Sequence, residues 1–152
     1  NMNNWWTEED AEAFKARTDI LVDQFNKIVI LPEKDGQPAL MADGALSLGE
    51  NIADQGGLRV SYTALQNSFA ANGEPEPIDG FTAAQRFYLS YATIWGQNIR
   101  DEEAARLTKS DVHSLGKNRV NATLRNVATF HEAFGITEGA MFLPEEERVV
   151  IW

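Results

Sequence analysis

Helix-breaking residues are concentrated in two short segments of this 152-residue chain. Four of its five prolines lie in residues 32–44 and 73–80, and each segment also holds two glycines. A helix cannot pass through either segment, because proline lacks the backbone donor and clashes with the preceding turn. The remaining sequence carries helical periodicity, so it predicts a mainly α fold with four or five helices and few strands. Its length suits one domain over residues 1–152.

Capping patterns mark where these helices begin. Residues 7–10, 47–50 and 82–85 each place Thr or Ser three positions before Asp, Glu or Gln. Residues 32–44 are predicted to be a loop that can hold a short extended piece. The apolar side of the third helix is predicted to be buried throughout, at Phe81, Ala84, Tyr88, Tyr91 and Trp95. The predicted helices run from Thr7 to near Ile30, from Ser47 to the break at 73–80, onward from Thr82, from Asp101 to about Lys109, and, with Asn118 as cap, from Arg119 to Phe134.

Charge and cysteine content exclude several kinds of site. The formal net charge is −10, which repels phosphate backbones and disfavours nucleic-acid binding. The chain has no cysteine, so it can form neither a disulfide nor a thiolate metal site by itself. No apolar run approaches the ~20 residues that a membrane-spanning helix needs.

Glu50 and Asp54 form the first candidate site. Their i, i+4 spacing puts both carboxylates on one helix face, where like charges repel unless a metal ion or cationic histidines compensate. Gly56 and Gly57 each cost a helix ~1 kcal/mol relative to alanine, which a close approach of another element would explain. Spacing alone favours a different interpretation, in which Glu50 completes a capping box with Ser47 and Asp54 is a solvated surface acid.

His113 and Arg119 form the second candidate site. In a polar loop they could stabilise an oxyanion or hold a substrate carbonyl. The alternative is a histidine bonded to Asp111, with Arg119 in a surface ion pair. His131 is predicted to be an ordinary surface or boundary residue. The chain contains no HExxH, so it cannot assemble a complete zinc site.

These pieces occur together, in order, in one family. The segment GENIADQGGL at 49–58 is similar to the signature of the neprilysin and endothelin-converting-enzyme family of zinc metallopeptidases. An ordered set of further matches runs from Trp5-Trp6 through Asp111-Val112-His113-Ser114 and Arg119 to Trp152. Gln55 and Leu115 depart from the usual pattern, and the chain resembles a bacterial-type member. The resemblance implies the C-terminal helical part of a zincin-like (thermolysin-like) catalytic domain, with the HExxH helix upstream of Asn1.

The family resemblance also implies a role for each candidate residue. Glu50 would be the third zinc ligand, and Asp54 would accept a hydrogen bond from a zinc-binding histidine. His113 would donate to the oxyanion, while Arg119 would bind a substrate carbonyl and contact Asp54. Ile94 and Trp95 would line the pocket for an apolar residue just after the scissile bond.

The implied function is zinc-dependent hydrolysis of peptides by an extracytoplasmic endopeptidase. This chain alone would be inactive, because two histidine ligands and the general base belong to the upstream half of the catalytic domain. Apolar surface that normally packs on that half, including Trp5 and Trp6, would be exposed and could drive self-association. Two alternatives are a non-catalytic peptide-binding or scaffold relative and an unrelated acidic α-helical interaction module.

Overall fold

The computed structural model describes residues 4–151 and confirms a mainly α architecture. The predicted contributions of Asn1, Met2, Asn3 and Trp152 lie outside the described residues. Within residues 4–151 no helix is long and apolar enough to cross a lipid bilayer. The elements, in chain order, are α1 (Glu8–Asn26), β1 (Val29–Leu31), β2 (Leu40–Met41), α2 (Leu48–Asn72), α3 (Ala83–Ile94), α4 (Asp101–Ser110), α5 (Gly116–Leu124), α6 (Ala128–Phe134) and a short 3-10 helix (Glu145–Glu147).

Two of the three predicted capping patterns act as caps. Thr7 Oγ1 accepts a hydrogen bond from the Asp10 amide, and Thr82 and Gln85 form a reciprocal capping box. The predicted box at Ser47 is wrong. The Ser47 side chain makes no cap bond and instead donates to the Asp43 carbonyl, 2.8 Å away. Glu50 is therefore not part of a capping box at the start of its own helix.

The first helix ends four residues earlier than predicted. It stops at Asn26, and Val29–Leu31 pairs antiparallel with Leu40–Met41, the short extended piece expected in the loop. The turn between the strands carries positive φ at Asp35 and Gly36, a conformation that Asp-Gly adopts readily. The β-branched run before Pro32 therefore forms a hairpin strand rather than a last helical turn.

The last predicted helix is two helices. The break falls at Asn126, whose side chain accepts from the Val149 amide at 2.8 Å and donates to Gln24 at 2.7 Å. These bonds join the break to the C-terminal segment and to α1. Asn118 is not a cap but a buried residue inside α5, which begins at Gly116. A Cβ at Gly116 would lie 2.5 Å from the Trp95 carbonyl oxygen, so α5 starts where only glycine fits.

Helix α2 contributes residues to two apolar clusters. Ile52 packs with Leu21, Phe25 and Val149, while Leu58 packs in the second cluster. The third helix is less buried than predicted, because Tyr88 is enclosed but Phe81 is 42% exposed. The prediction that His131 lies at the surface or its boundary is also wrong, since the residue is buried at 5% exposure. The buried members of the second cluster are Leu58, Tyr88, Leu124 and Phe130.

Candidate metal and substrate site

The first two turns of α2 present Glu50 and Asp54 on one face, as their spacing predicts. Their surroundings differ. The Glu50 side chain is 38% exposed and its Oε2 lies 3.3 Å from Nε2 of His113. The Asp54 side chain is 10% exposed and is held by Arg119. The structure thus brings His113 to Glu50 and Arg119 to Asp54.

Arg119 and Asp54 form a bidentate ion pair between α5 and α2. Arg119 Nε donates to Asp54 Oδ2 at 2.8 Å, and Nη2 donates to Oδ1 at 2.7 Å. The Asp54 hydrogen bonds raise the pKa of Arg119 above its ordinary value, so the guanidinium remains charged. Asp54 is consequently not a solvated surface acid. Two parallel bonds fix the plane of the guanidinium as well as its position.

Trp95 forms the other wall around Arg119. The guanidinium carbon lies 3.7 Å from the centroid of the indole ring, a cation–π contact. Tyr91, one turn earlier, donates its hydroxyl to the Arg119 carbonyl at 2.9 Å. Burial, followed by the nearby Asp54 carboxylate, raises the pKa of Tyr91, which keeps the phenol protonated as a donor. Trp95 therefore packs against the arginine.

His113 is oriented by Asp111. Its Nδ1 lies 2.7 Å from Asp111 Oδ1, and its backbone amide donates to the same oxygen at 2.9 Å. Hydrogen bonds from the backbone and then the ring of His113 lower the pKa of Asp111, so the carboxylate is ionised and can only accept. The proton of this bond therefore sits on Nδ1. Nε2 points towards Glu50 and donates only when the ring is an imidazolium.

Ile94 lies apart from this cluster. It is 69% exposed and borders a groove of about 570 Å³ between α2 and α3. Asp54 lines the same groove, so one of its ends meets the charged cluster. The apolar walls of the groove include Leu58, Leu65, Phe69, Phe87 and Ile94.

Glu50 is the candidate metal donor of this cluster. Among residues 4–151 no group of three or more His, Cys, Asp or Glu side chains could hold a metal ion. Glu50 nevertheless fits as a single ligand. Its half-exposed carboxylate is contacted by His113 and retains free acceptor positions, and carboxylate oxygens are accepted zinc donors.

Sequence reasoning missed two residues beside the site. Asn51 and Ser114 lie within the motifs at 49–58 and 111–114, and neither motif assigns their side chains a role. Ser114 donates its hydroxyl to Asn51 Oδ1 at 2.8 Å, across the interface between α2 and the loop before α5. Asn51 is 1% exposed, and its burial, which no local sequence pattern indicates, is what draws attention to it.

Comparisons with known proteins give one consistent result. The model of peptidase family M13 matches residues 1–150. Human neprilysin is 36% identical over 146 residues, covering 95% of this chain and 19% of neprilysin. Rat endothelin-converting enzyme 1 is 34% identical over 154 residues, covering 100% of this chain and 19% of that enzyme. The chain thus spans about a fifth of the curated relatives it matches.

Solved structures agree with the sequence matches. The Mycobacterium tuberculosis zinc metalloprotease Zmp1 in complex with an inhibitor superposes with a TM-score of 0.90 at 41% identity, covering 100% of this chain and 23% of that one. PepO from Lactobacillus rhamnosis gives a TM-score of 0.77 at 27% identity, covering 100% of this chain and 22% of PepO. The family resemblance drawn from residues 49–58 is confirmed.

Proposed function

The chain belongs to peptidase family M13, and from this premise we propose that it is part of a zinc-dependent endopeptidase that hydrolyses peptides. The chief support is the meeting of Glu50 with His113 at 3.3 Å, one helical turn from the Asp54–Arg119 pair. Residues some 65 positions apart in sequence therefore assemble one cluster of charges at the edge of an apolar groove. Family membership also excludes the alternative of an unrelated acidic module.

Glu50 is the residue that would hold zinc. The two further ligands would be histidines of an HExxH in the remainder of the catalytic domain, together with the glutamate that serves as general base. Zinc, when bound, supplies Lewis-acid activation of the scissile carbonyl and of the attacking water. This chain alone therefore lacks most of the ligand set and is proposed to be inactive by itself.

Asp54 would steady one of those histidines. Each of its oxygens already accepts one bond from Arg119, and each keeps a second lone pair. A bond accepted from a ligand histidine would fix the tautomer that leaves the other ring nitrogen free for zinc.

His113 would stabilise negative charge as the peptide carbonyl is attacked. Asp111 holds the Nδ1 side of the ring and aims Nε2 away from the loop, so a protonated Nε2 can donate to the developing oxyanion. Asp111 bonds both the backbone amide and the ring Nδ1 of His113. The ring is therefore already oriented, and little reorganisation accompanies that donation.

Arg119 would bind the substrate backbone. A guanidinium carries five N–H donors, and Asp54 uses only two of them. The remaining donors are available to a substrate carbonyl. Ile94 and the groove beside it would then receive an apolar side chain just after the scissile bond, with Trp95 at the arginine end.

The exposed apolar side chains of this chain would face the remainder of the catalytic domain. Trp5 is 84% exposed and Val60 70%. Without that partner such surface favours self-association. We also propose, from the family resemblance, that the full-length protein acts outside the cytoplasm, which cell fractionation would test directly.

Zinc content and peptide hydrolysis of the full-length protein test the proposal. Wild type would be compared with Glu50→Gln and with Glu33→Gln, a matched change in an exposed loop. We expect Glu50→Gln to lose bound zinc and at least about 100-fold in kcat/KM, because the carboxamide is a poor zinc ligand. Glu33→Gln should keep both. A Glu50→Gln protein with full zinc and activity would show that the ligand assignment is wrong, whereas a zinc-free wild type that binds peptides without hydrolysis would identify the non-catalytic relative.

A further inference from the structure

A buried hydrogen-bonded chain connects the two segments that carry Glu50 and His113. Ser114 Oγ donates to Asn51 Oδ1 at 2.8 Å, and Asn51 Nδ2 donates to Ser47 Oγ at 3.1 Å. Ser47 Oγ in turn donates to the Asp43 carbonyl at 2.8 Å. The Asp43 carbonyl can only accept, so Ser47 Oγ must donate to it and accept from Asn51 Nδ2. The Asn51 oxygen is then left to accept from Ser114, and every donor in the series is defined. The chain therefore runs in one direction from the loop at 114 to the loop before α2.

The position of these hydrogen bonds matters because two of the bonded residues are sequence neighbours of the site residues. Asn51 directly follows Glu50 on α2, and Ser114 directly follows His113. One bond between the neighbours thus holds the two backbones at the point where Nε2 of His113 meets Oε2 of Glu50. The remaining anchor of His113 is Asp111, which belongs to the same loop and cannot set the distance to α2.

We propose that Asn51 and Ser114 are positioning residues that set the distance between His113 and Glu50. This inference rests on the proposed function of those two side chains. The bond orients rather than reacts, because Asn51 is 1% exposed and out of reach of a substrate. A buried amide with both its oxygen and its nitrogen bonded has one arrangement, and that uniqueness is what a catalytic spacing requires.

The first test is a crystal structure of the full-length Ser114→Ala variant, compared with wild type. We expect the 3.3 Å contact between His113 Nε2 and Glu50 to lengthen or the His113 loop to adopt more than one position. Ser110→Ala is the matched control, because within residues 4–151 the hydroxyl that it removes bonds only the Arg106 carbonyl in α4. A Ser114→Ala structure with His113 unmoved would overturn the proposal, whether or not the protein hydrolyses peptides.

Kinetics separate a positioning role from a general loss of stability. At unchanged zinc content, Ser114→Ala should lower kcat by about 10-fold or more with little change in KM, as small misplacements of catalytic groups do. Ser114→Thr, which retains the hydroxyl, should restore kcat. A lower melting temperature with normal kcat, or a loss that only follows lost zinc, would contradict a positioning role.

A double-mutant cycle tests whether the two residues act as one unit. If they do, Asn51→Ala and Ser114→Ala together should reduce kcat no more than the more severe single change. Additive losses would instead mean that each residue acts separately. If Asn51→Ala does not fold, Ser114→Ala and Ser114→Thr decide the question alone. Activity of wild type and Ser110→Ala in the same assay tests the proposed function, so its failure is distinguishable from failure of the positioning role.

Discussion

Arg119 is held between Asp54 of α2 and Trp95, which directly follows α3, with its guanidinium carbon 3.7 Å from the centre of the Trp95 ring and its Nε and Nη2 bonded to Asp54. The indole restricts movement perpendicular to the guanidinium plane, and the carboxylate restricts movement within it. An arginine held in both directions can present its remaining donors to a substrate carbonyl at little entropic cost.

Trp95→Leu should therefore weaken substrate binding. Loss of a partly desolvated cation–π contact is worth about 1 to 2 kcal/mol, or about 5-fold to 30-fold in KM for a peptide substrate. Trp95→Phe should fall between wild type and Trp95→Leu, since it keeps a smaller ring. If Trp95 acts only as a pocket wall, the two variants would change the preference for the residue after the scissile bond. They would not raise KM for all peptide substrates alike.

Arg119→Lys tests the fork geometry directly. Lysine keeps the positive charge but cannot form two parallel bonds to Asp54. We expect kcat/KM to fall by about 10-fold to 100-fold, the value of one hydrogen bond to a charged group. Arg17→Lys, at an exposed position on α1, is the control. Equal kinetics for wild type and Arg119→Lys would show that charge alone suffices.

Local signals predicted much of this fold, and long-range contacts account for most of what they missed. The capping box of Thr82 and the Thr7 cap of the first helix depend on neighbouring residues, so both can be predicted from the sequence. The break at Asn126 depends on Gln24 and Val149, which are 102 and 23 positions away. No local pattern records such bonds, and residues 119–134 are helical on either side of them.

The site shows the same division. The shared face of Glu50 and Asp54 follows from helical spacing, whereas the partners of those residues come from segments some 60 positions later. The family resemblance supplied the expected contact between Asp54 and Arg119. It supplied nothing for Asn51 and Ser114, whose roles become visible only when α2 and the loop are placed side by side.

His131 should make stability depend on pH. Burial and then the cationic Arg148 lower its pKa from the ordinary value of 6.5, and the nearby backbone of Met141 and Arg125 opposes this only in part. Neither ring nitrogen has a well-formed hydrogen bond within residues 4–151. Below pH 6.5 the unfolded chain binds a proton that the folded chain resists, so stability falls as pH decreases and recovers above that value.

Thermal unfolding of the full-length protein measures this effect. The melting temperature at pH 5.5 should lie below that at pH 7.5, and the difference should be smaller in His131→Phe, which cannot take up the proton. Because other groups also titrate, the comparison between wild type and variant carries the result. An identical pH dependence in the two proteins would mean that His131 is as easily protonated folded as unfolded.

Gly57 offers a test of what packs against the face of α2 that carries Glu50 and is proposed to bind zinc. It lies three residues after Asp54 and seven after Glu50, so all three share one side of the helix. A Cβ at Gly57 would meet no atom within 4 Å in the described chain, and the close approach expected from the Gly56-Gly57 pair is not seen at Gly57. In this chain alone, alanine would therefore favour the helix by ~1 kcal/mol.

In the full-length protein we expect the opposite. If Glu50 holds zinc as proposed, the segment that supplies the other ligands has to come near it, and a glycine on the same face would let that segment approach closely. Gly57→Ala should then lower zinc content and kcat/KM, and Gly57→Leu should lower both further. Gly49→Ala is the control, because Gly49 is also in α2 with open space at its Cβ but lies about 100° around the helix from Glu50 and about 140° from Asp54. A Gly57→Ala enzyme that is more stable than wild type, with normal zinc content and activity, would mean that no other element packs against this face.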